Sequence, residues 1–321
     1  MTAKARLVAE IAAAVAEARS GDIAAARAHL ERIAADPEAG VLGEATLLGL
    51  PRKLHAARLR IAKIAHDKVA VAGLQATAVP PAGALEGLFA ADAALRAACV
   101  AVAGQPVPRL LHQVWIGGPP PAACAAWADW AARHGWRYRL WDEAALAEAG
   151  ITADPLWRAM CAAGDIPGAV DVARYRLLEA EGGLYLDCDW FPAQPELPPE
   201  ALFPQRGLSV LAEPAPRQVA GAHLLLSNAL IAAPTGHPAF GALRRALPQV
   251  MARLPRGPAW WQTGPLPFTL ALRQGPVTVL DAAIMAGHLP QGAPRAEAEA
   301  MARATTGAGF LIAWKGWPAP G

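Results

Sequence analysis

Asp171-Val-Ala-Arg174-Tyr175-Arg-Leu-Leu-Glu-Ala-Glu-Gly182-Gly183-Leu-Tyr185-Leu-Asp187-Cys188-Asp189 is the stretch around which the chain reads as organised. Val172, Tyr175, Leu177 and Leu178, with charges between them, have the spacing of one buried helical face, and Gly182-Gly183 is a helix stop able to take positive φ. Leu184-Tyr185-Leu186 then reads as a short buried strand that delivers Asp187 and Asp189 to a sheet edge. Two carboxylates at i and i+2 of a strand end share one side of the pleat, and held together unpaired they repel and lose hydration. A divalent cation removes that cost. Oxygen ligands of this kind suit Mg²⁺ or Mn²⁺, which commonly carry substrate phosphates. Taken alone, the pair reads equally well as a cap for the next turn.

Upstream, Leu111-His112-Gln113-Val114-Trp115-Ile116-Gly117 belongs to a strand predicted over 109–116. In nucleotide-binding α/β sheets the ligand lies beyond the carboxyl ends of strands, where Trp115 and Gly117-Gly118 fall. Trp115 reads either as core or as a platform on which a base stacks. His112, deeper in the strand, reads as a hydrogen-bonded structural histidine. Further helices are expected over 127–134, 156–163 and 237–254, and strands over 137–141, 209–213, 223–231 and 277–280, with 190–199 a loop. Short strands alternating with helices mark an α/β layer fold. Asp171 and Arg174, one helical turn apart, have the spacing of a local ion pair worth a few tenths of a kcal/mol.

The region before residue 105 reads differently. Leu7, Ile11 and Val15 recur at helical spacing, Ser20-Gly21-Asp22 stops and restarts the helix, and Ile23, Leu30 and Ile33 carry a second helix to Asp36-Pro37. A long helix is expected over 52–71, bearing Arg58, Arg60, Lys63 and Lys68, and another over 85–102. The basic residues read as a solvated face, with contact to acidic partners or lipid headgroups as the other reading. The domain boundary is therefore expected at 104/105, with 1–104 helical and 105–321 the α/β domain.

With 321 residues and a net charge of +2, the chain is long enough for a packed core and lacks the basic excess of a nucleic-acid-binding surface. No stretch reaches the length of a membrane-spanning helix, and the charged, alanine-rich N-terminus does not read as a signal peptide. A cytoplasmic protein is expected, at most peripheral to the inner face of the membrane through its N-terminal helices. Cys99, Cys124, Cys161 and Cys188 have no metal-ligand spacing and read as reduced thiols.

Asp171, Arg174, Tyr175, Gly182, Gly183, Tyr185, Asp187 and Asp189 together resemble the sugar-binding region of the glycosyltransferases that carry an Asp-x-Asp motif. These are capsular and lipopolysaccharide sugar transferases and initiating α-mannosyltransferases (glycosyltransferase family 32-like), with the clostridial glucosylating toxins as distant relatives. The His112-Gln113-x-Trp115-x-Gly117 block and Trp141-Asp142-Glu143 resemble that family's opening strand and its Trp-Asp pair. His237-Pro238-Ala239-Phe240 and Trp261-Gln262-Thr263-Gly264-Pro265 also match, and the resemblance spans 106–320.

The resemblance implies a GT-A nucleotide-diphosphosugar transferase fold and transfer of a sugar, with retention, from a nucleotide-diphosphate donor to a glycan, lipid-linked or protein acceptor. The donor is a UDP-sugar by default or a GDP-sugar, and the cofactor is Mn²⁺ or Mg²⁺. It assigns Asp187 and Asp189 to the metal, Trp115, Ile116, Gly117, Tyr185 and Asp187 to the nucleotide, and Asp171, Arg174, Gly183 and Asn228 to the sugar. Asp171, Arg174, Asp187 and Asp189 are thereby the candidate catalytic residues. Near the C-terminus the family's Ser-Trp or Asn-Trp becomes Gly316-Trp317 and the histidine is missing, leaving Lys315 and Trp317 as the flap residues. A haloacid-dehalogenase-type phosphohydrolase also ends a strand in Asp-x-Asp, but there the motif opens its domain. A degenerate carbohydrate-binding or scaffold subunit is the non-enzymatic alternative.

Overall fold

The computed structural model describes residues 2–212, 225–307 and 309–317. The chain divides into two compact units, one comprising 1–88, 213–225 and 249–262, the other 89–212, 226–248 and 263–321.

The first unit is built on α1 (Ala3–Arg19), α2 (Ile23–Ala34), α3 (Arg52–Ile64) and α4 (Lys68–Ala76). Leu7, Val15, Leu30, Ile33, Leu54 and Ile61 form its core. The single helix expected over 52–71 is two. The chain turns at His66, which takes φ 52°, and Asp67 restarts the helix by accepting the Ala70 amide at 3.0 Å. Among the described residues no helix is long and apolar enough to cross a membrane.

The second unit begins with α5 (Ala93–Val102), shorter than the helix expected over 85–102 because Asp92 caps it at the amides of Ala94 and Leu95. There follow β1 (Leu110–Val114), α6 (Ala122–Arg133), β2 (Arg137–Trp141), α7 (Glu143–Glu148), α8 (Pro155–Ala162), α9 (Ile166–Glu181), β3 (Gly183–Leu186), β4 (Trp190–Pro192), β5 (Ser209–Ala212) and β6 (Leu226–Ala233). Next come α10 (Pro238–Arg253), whose last residues count with the first unit, then α11 (Ala259–Gln262), which belongs there too, and α12 (Pro265–Leu272), β7 (Thr278–Leu280), β8 (Met285–His288), α13 (Arg295–Ala304) and β9 (Leu311–Ala313). Residues 213 and 223–224 of the strands expected over 209–213 and 223–231 lie outside the described residues.

The α/β class read from the sequence is the one adopted. A mixed six-stranded sheet runs in the order β2-β1-β3-β6-β5-β7, with β6 antiparallel to both neighbours. A second sheet, β4-β9-β8, was not foreseen, and its β4 lies in the expected loop 190–199. β4 and β9 are three residues each, too short to show a period of two, and they are held by register: Trp190 pairs with Ala313 and Pro192 with Leu311.

The Gly182-Gly183 pair sets how α9 meets the sheet. Gly182 caps α9 at φ 64°, and a Cβ there would stand 2.5 Å from the Thr235 amide nitrogen. Gly183, at φ 99°, brings the chain against the Leu110 carbonyl, and a Cβ would also meet His112 Nε2 at 3.3 Å. His112 is fully buried, with Nε2–H donating to the Gly182 carbonyl at 2.9 Å and Nδ1 accepting from Trp141 Nε1 at 3.0 Å. Burial holds its pKa down at about 4, so the ring is a neutral brace between β1, β2 and this turn.

Gly183→Ala is expected to cost about 2–4 kcal/mol, combining left-handed backbone strain with overpacking. Urea denaturation checks this, and a loss below about 0.5 kcal/mol would show that the turn gives way freely.

Candidate functional site

The carboxyl ends of β1 and β3 and the start of α9 enclose a cavity of about 250 Å³, lined by Val114, Trp115, Ile116, Ile166, Pro167, Val170, Arg174, Asp187, Cys188, Asp189, Lys315 and Trp317. α9 enters it from a fixed start. Asp165 accepts the Gly168 amide at 3.0 Å and Pro167 stands in the first turn.

Asp187-Cys188-Asp189 is a turn between β3 and β4, not the continuation of a strand. Shared sidedness in a pleat therefore does not bring the two carboxylates to one cavity. The Asp187 amide still donates to the Ala229 carbonyl at 2.9 Å, and its carbonyl accepts from Gln113 Nε2 at 3.2 Å. Its Oδ1 accepts from Tyr185 OH at 2.8 Å and pairs with Arg174 Nη1 at 3.1 Å. After the turn, Asp189 is fixed through its carbonyl, which accepts the Trp314 amide at 2.8 Å. Cys188 turns inward and its thiol donates to the Val114 carbonyl at 3.3 Å.

Arg174 is the hub. Buried on α9, it pairs through Nη2 with Asp171 Oδ1 at 3.2 Å, donates through Nη1 to the Asn228 carbonyl at 2.5 Å, and lies over the Tyr185 ring at 4.5 Å. Burial works against its charge, but Asp187, Tyr185 and Asp171 together hold its pKa above the ordinary arginine value.

Behind it, Asp171 uses both oxygens. Oδ1 accepts from Asn228 Nδ2 at 2.7 Å and Oδ2 from Thr263 Oγ1 at 2.8 Å. Burial nevertheless raises the Asp171 pKa to about 6, since desolvation outweighs the pairing. Tyr175 closes the layer, its hydroxyl donating to the Thr263 carbonyl at 2.8 Å and accepting from Asn228 Nδ2 at 2.8 Å.

The structure thus sorts the residues picked out in the sequence. Trp115, Ile116, Arg174, Asp187, Asp189, Lys315 and Trp317 meet at the cavity. Asp171, Tyr185 and Asn228 stand behind it as buried supports; Tyr185 is fully buried and reaches the cavity through Asp187 and Arg174. Gly183 does not join them. It lies at the far end of β3, about 13 Å of strand from Asp187, and its place is the close approach to β1. Gly117 is exposed and its amide donates to Glu143 Oε1 at 2.8 Å. Sequence reading missed the supporting chain in which Tyr138 OH donates to Gln113 Oε1 at 2.9 Å while Gln113 holds the Asp187 carbonyl. It also missed the apolar wall of Ile166, Pro167 and Val170. A buried glutamine in a strand was the available signal for the first.

Three polar atoms on residues lining this cavity are buried without a hydrogen-bond partner: Trp115 Nε1, Arg174 Nε and Asp189 Oδ1. Asp189 keeps 30% of its side-chain surface exposed, yet Oδ1 is covered, and burial followed by the nearby Asp187 raises its pKa to about 6. Among the described residues the cation paired with it is Lys315, with Nζ 3.8 Å from Oδ2. The two carboxylates and the orphaned Oδ1 fit a hard divalent cation, which uses one or two carboxylates and completes its shell with water and substrate oxygens. Among the described residues no group of three or more His, Cys, Asp or Glu side chains could hold a metal by itself. Trp317 packs on Trp115 with centroids 5.0 Å apart; it follows β9, whose last residue, Ala313, pairs with Trp190, and the next residue, Trp314, is tied by its amide to the Asp189 carbonyl.

No family model matches the chain, and no curated protein matches it. Among solved structures it is similar to the PaToxG glycosyltransferase, at 16% identity and a TM-score of 0.41, over 60% of this chain and 77% of that one.

Proposed function

We propose that the chain is a metal-dependent glycosyltransferase that takes a nucleotide-diphosphosugar, a UDP-sugar by default, and passes the sugar to a glycan, lipid-linked or protein acceptor. The observation that carries this reading is the convergence of two unpartnered donors, Trp115 Nε1 and Arg174 Nε, and one unpartnered carboxylate oxygen, Asp189 Oδ1, on residues of a single cavity. Buried polar atoms in folded proteins normally have partners, and these three ask for acceptors and for a cation in one place, as a metal diphosphate provides.

Asp187 and Asp189 would hold Mn²⁺ or Mg²⁺, which supplies Lewis-acid stabilisation of diphosphate charge. Arg174 holds Asp187 in position and keeps Nε for an oxygen of the sugar or the diphosphate. Asp171, Asn228 and Thr263 fix Arg174 from behind, so the role first given to Asp171 at the sugar becomes one of positioning. Trp115 offers its face to the base, and Lys315 offers an unspecific positive charge to phosphate.

The test is nucleotide-sugar hydrolysis across UDP- and GDP-sugars, with and without Mn²⁺. Slow metal-dependent hydrolysis is expected; preference for phosphomonoesters, or no turnover with any donor, would overturn the reading. Trp115→Ala is expected to weaken nucleotide binding by about 1–3 kcal/mol, the loss of one stacked base. Calorimetry with UDP checks this, and unchanged affinity would assign Trp115 to packing against Trp317 alone.

A further inference from the structure

α9 has a second charged face, away from that cavity. Arg176 follows Arg174 by two residues, about 200° around the helix, so it leaves the opposite side from the cavity at the end of β3. There it meets Asp154 and Leu156 at the start of α8 and Gly241, Arg244, Arg245 and Pro248 on α10, around a cavity of about 480 Å³. That is within the range of small-molecule sites.

The lining mixes charges of both signs. Arg176 Nη1 donates to Asp154 Oδ2 at 2.8 Å, Arg244 Nη2 lies 3.8 Å from the same oxygen, and Arg244 Nη1 donates to Glu179 Oε2. Two carboxylates therefore face three guanidinium groups. Arg245 has no carboxylate partner among the described residues, and Arg244 Nε is buried without an acceptor. Gly241 keeps the floor open: a Cβ there would stand 2.8 Å from Glu179 Oε1 and 3.3 Å from Arg245 Nη1. Leu156, Pro155 and Pro248 supply an apolar wall.

We infer that this cavity is a second binding site, for a saccharide carrying one phosphate or carboxylate group. The surplus positive charge and the unused donors of Arg244 and Arg245 suit a single anionic group, since guanidinium matches both oxyanions bidentately. Asp154 and Glu179 suit hydroxyls, and the prolines suit the apolar face of a sugar ring. The inference stands apart from the donor reading, because its test is binding and not turnover.

The experiment is calorimetric titration of the full chain with glucose 6-phosphate, glucuronate, glucose and inorganic phosphate. Saturable binding of at least one of the two anionic sugars is expected, tighter than that of glucose or of phosphate alone, and the better of the two identifies the anion. Arg245→Glu, a change at an exposed side chain, is expected to weaken it by at least about tenfold, with the melting temperature unchanged. Asp189→Asn is expected to leave it intact. No saturation by either anionic sugar, binding indifferent to Arg245→Glu, glucose or phosphate binding as well as the sugar acids, or loss of binding in Asp189→Asn would each overturn the inference.

Discussion

Arg174→Ala is expected to destabilise the second unit by about 3–5 kcal/mol, the usual cost of stripping one partner from a buried ionic cluster. The size follows from what remains. Asp171 and Asp187 lose their common cation, the Asn228 carbonyl loses its donor, and the Tyr185 ring loses its cover. The effect has a pH signature. Asp171 already titrates at about 6 in the folded protein because of burial, and removing Arg174 pushes it higher. A raised folded pKa means that stability is fully present below the unfolded value near 4 and is lost as pH rises through the folded value. The deficit of the variant is therefore largest at pH 7–8 and narrows as pH falls through 6 toward 4. Urea denaturation at pH 8 and pH 4.5 checks both parts, and a loss under about 1 kcal/mol at pH 8 would mean that the cluster is loosely solvated.

Asp189→Asn acts in the opposite direction on stability. Its carboxylate, with Oδ1 buried and unpartnered, titrates at about 6, so without metal the ionised form opposes folding at neutral pH. The variant is expected to be more stable by up to about 3 kcal/mol above pH 6, with the gain gone below pH 4. Turnover with Mn²⁺ is expected to fall more than about a hundredfold, since a bound metal is worth several kcal/mol of charge stabilisation. Thermal melting in chelator, alongside hydrolysis in Mn²⁺, measures the two sides on one preparation. Near-normal metal-dependent activity would remove Asp189 from the metal site, and a destabilised metal-free variant would mean that an acceptor is needed there.

Much of this was legible because local chemistry and tertiary need agree in the central stretch. The apolar spacing of Val172, Tyr175, Leu177 and Leu178, the glycines and the strand behind them produced β3 and the end of α9 where expected, while α9 itself starts earlier, at Ile166. His112 also behaves as read. The site was legible in membership but not in layering. Asp171 and Tyr185 are polar members of the organising stretch and Asn228 stands far downstream in β6, yet nothing in their spacing tells a ligand contact from a buried support of Arg174 and Asp187. That distinction depends on β6, which enters from more than fifty residues away. The second sheet was illegible because strands of three or four residues carry no periodic signal. The helices over 52–71 and 85–102 were drawn too long because Asp67 and Asp92 cap restarts inside otherwise helical composition.

The antiparallel placement of β6 between β3 and β5 has a kinetic consequence. Leu184 pairs with Ala232 on one side and Leu111 on the other, Ser209 pairs with Thr278, and no described ladder is closed by a tight two-residue hairpin. Loop-closure entropy must be met before any of these pairings contributes, which places folding of the sheet in the slow, milliseconds-to-seconds class. α1 and α2, joined by a short turn, have no such delay. Refolding is therefore expected to develop helical signal first and to bury Trp141 of β2, with Trp127 and Trp130 of α6, only in a later phase. During that interval the apolar β3 and β6 segments are open to pairing with other chains.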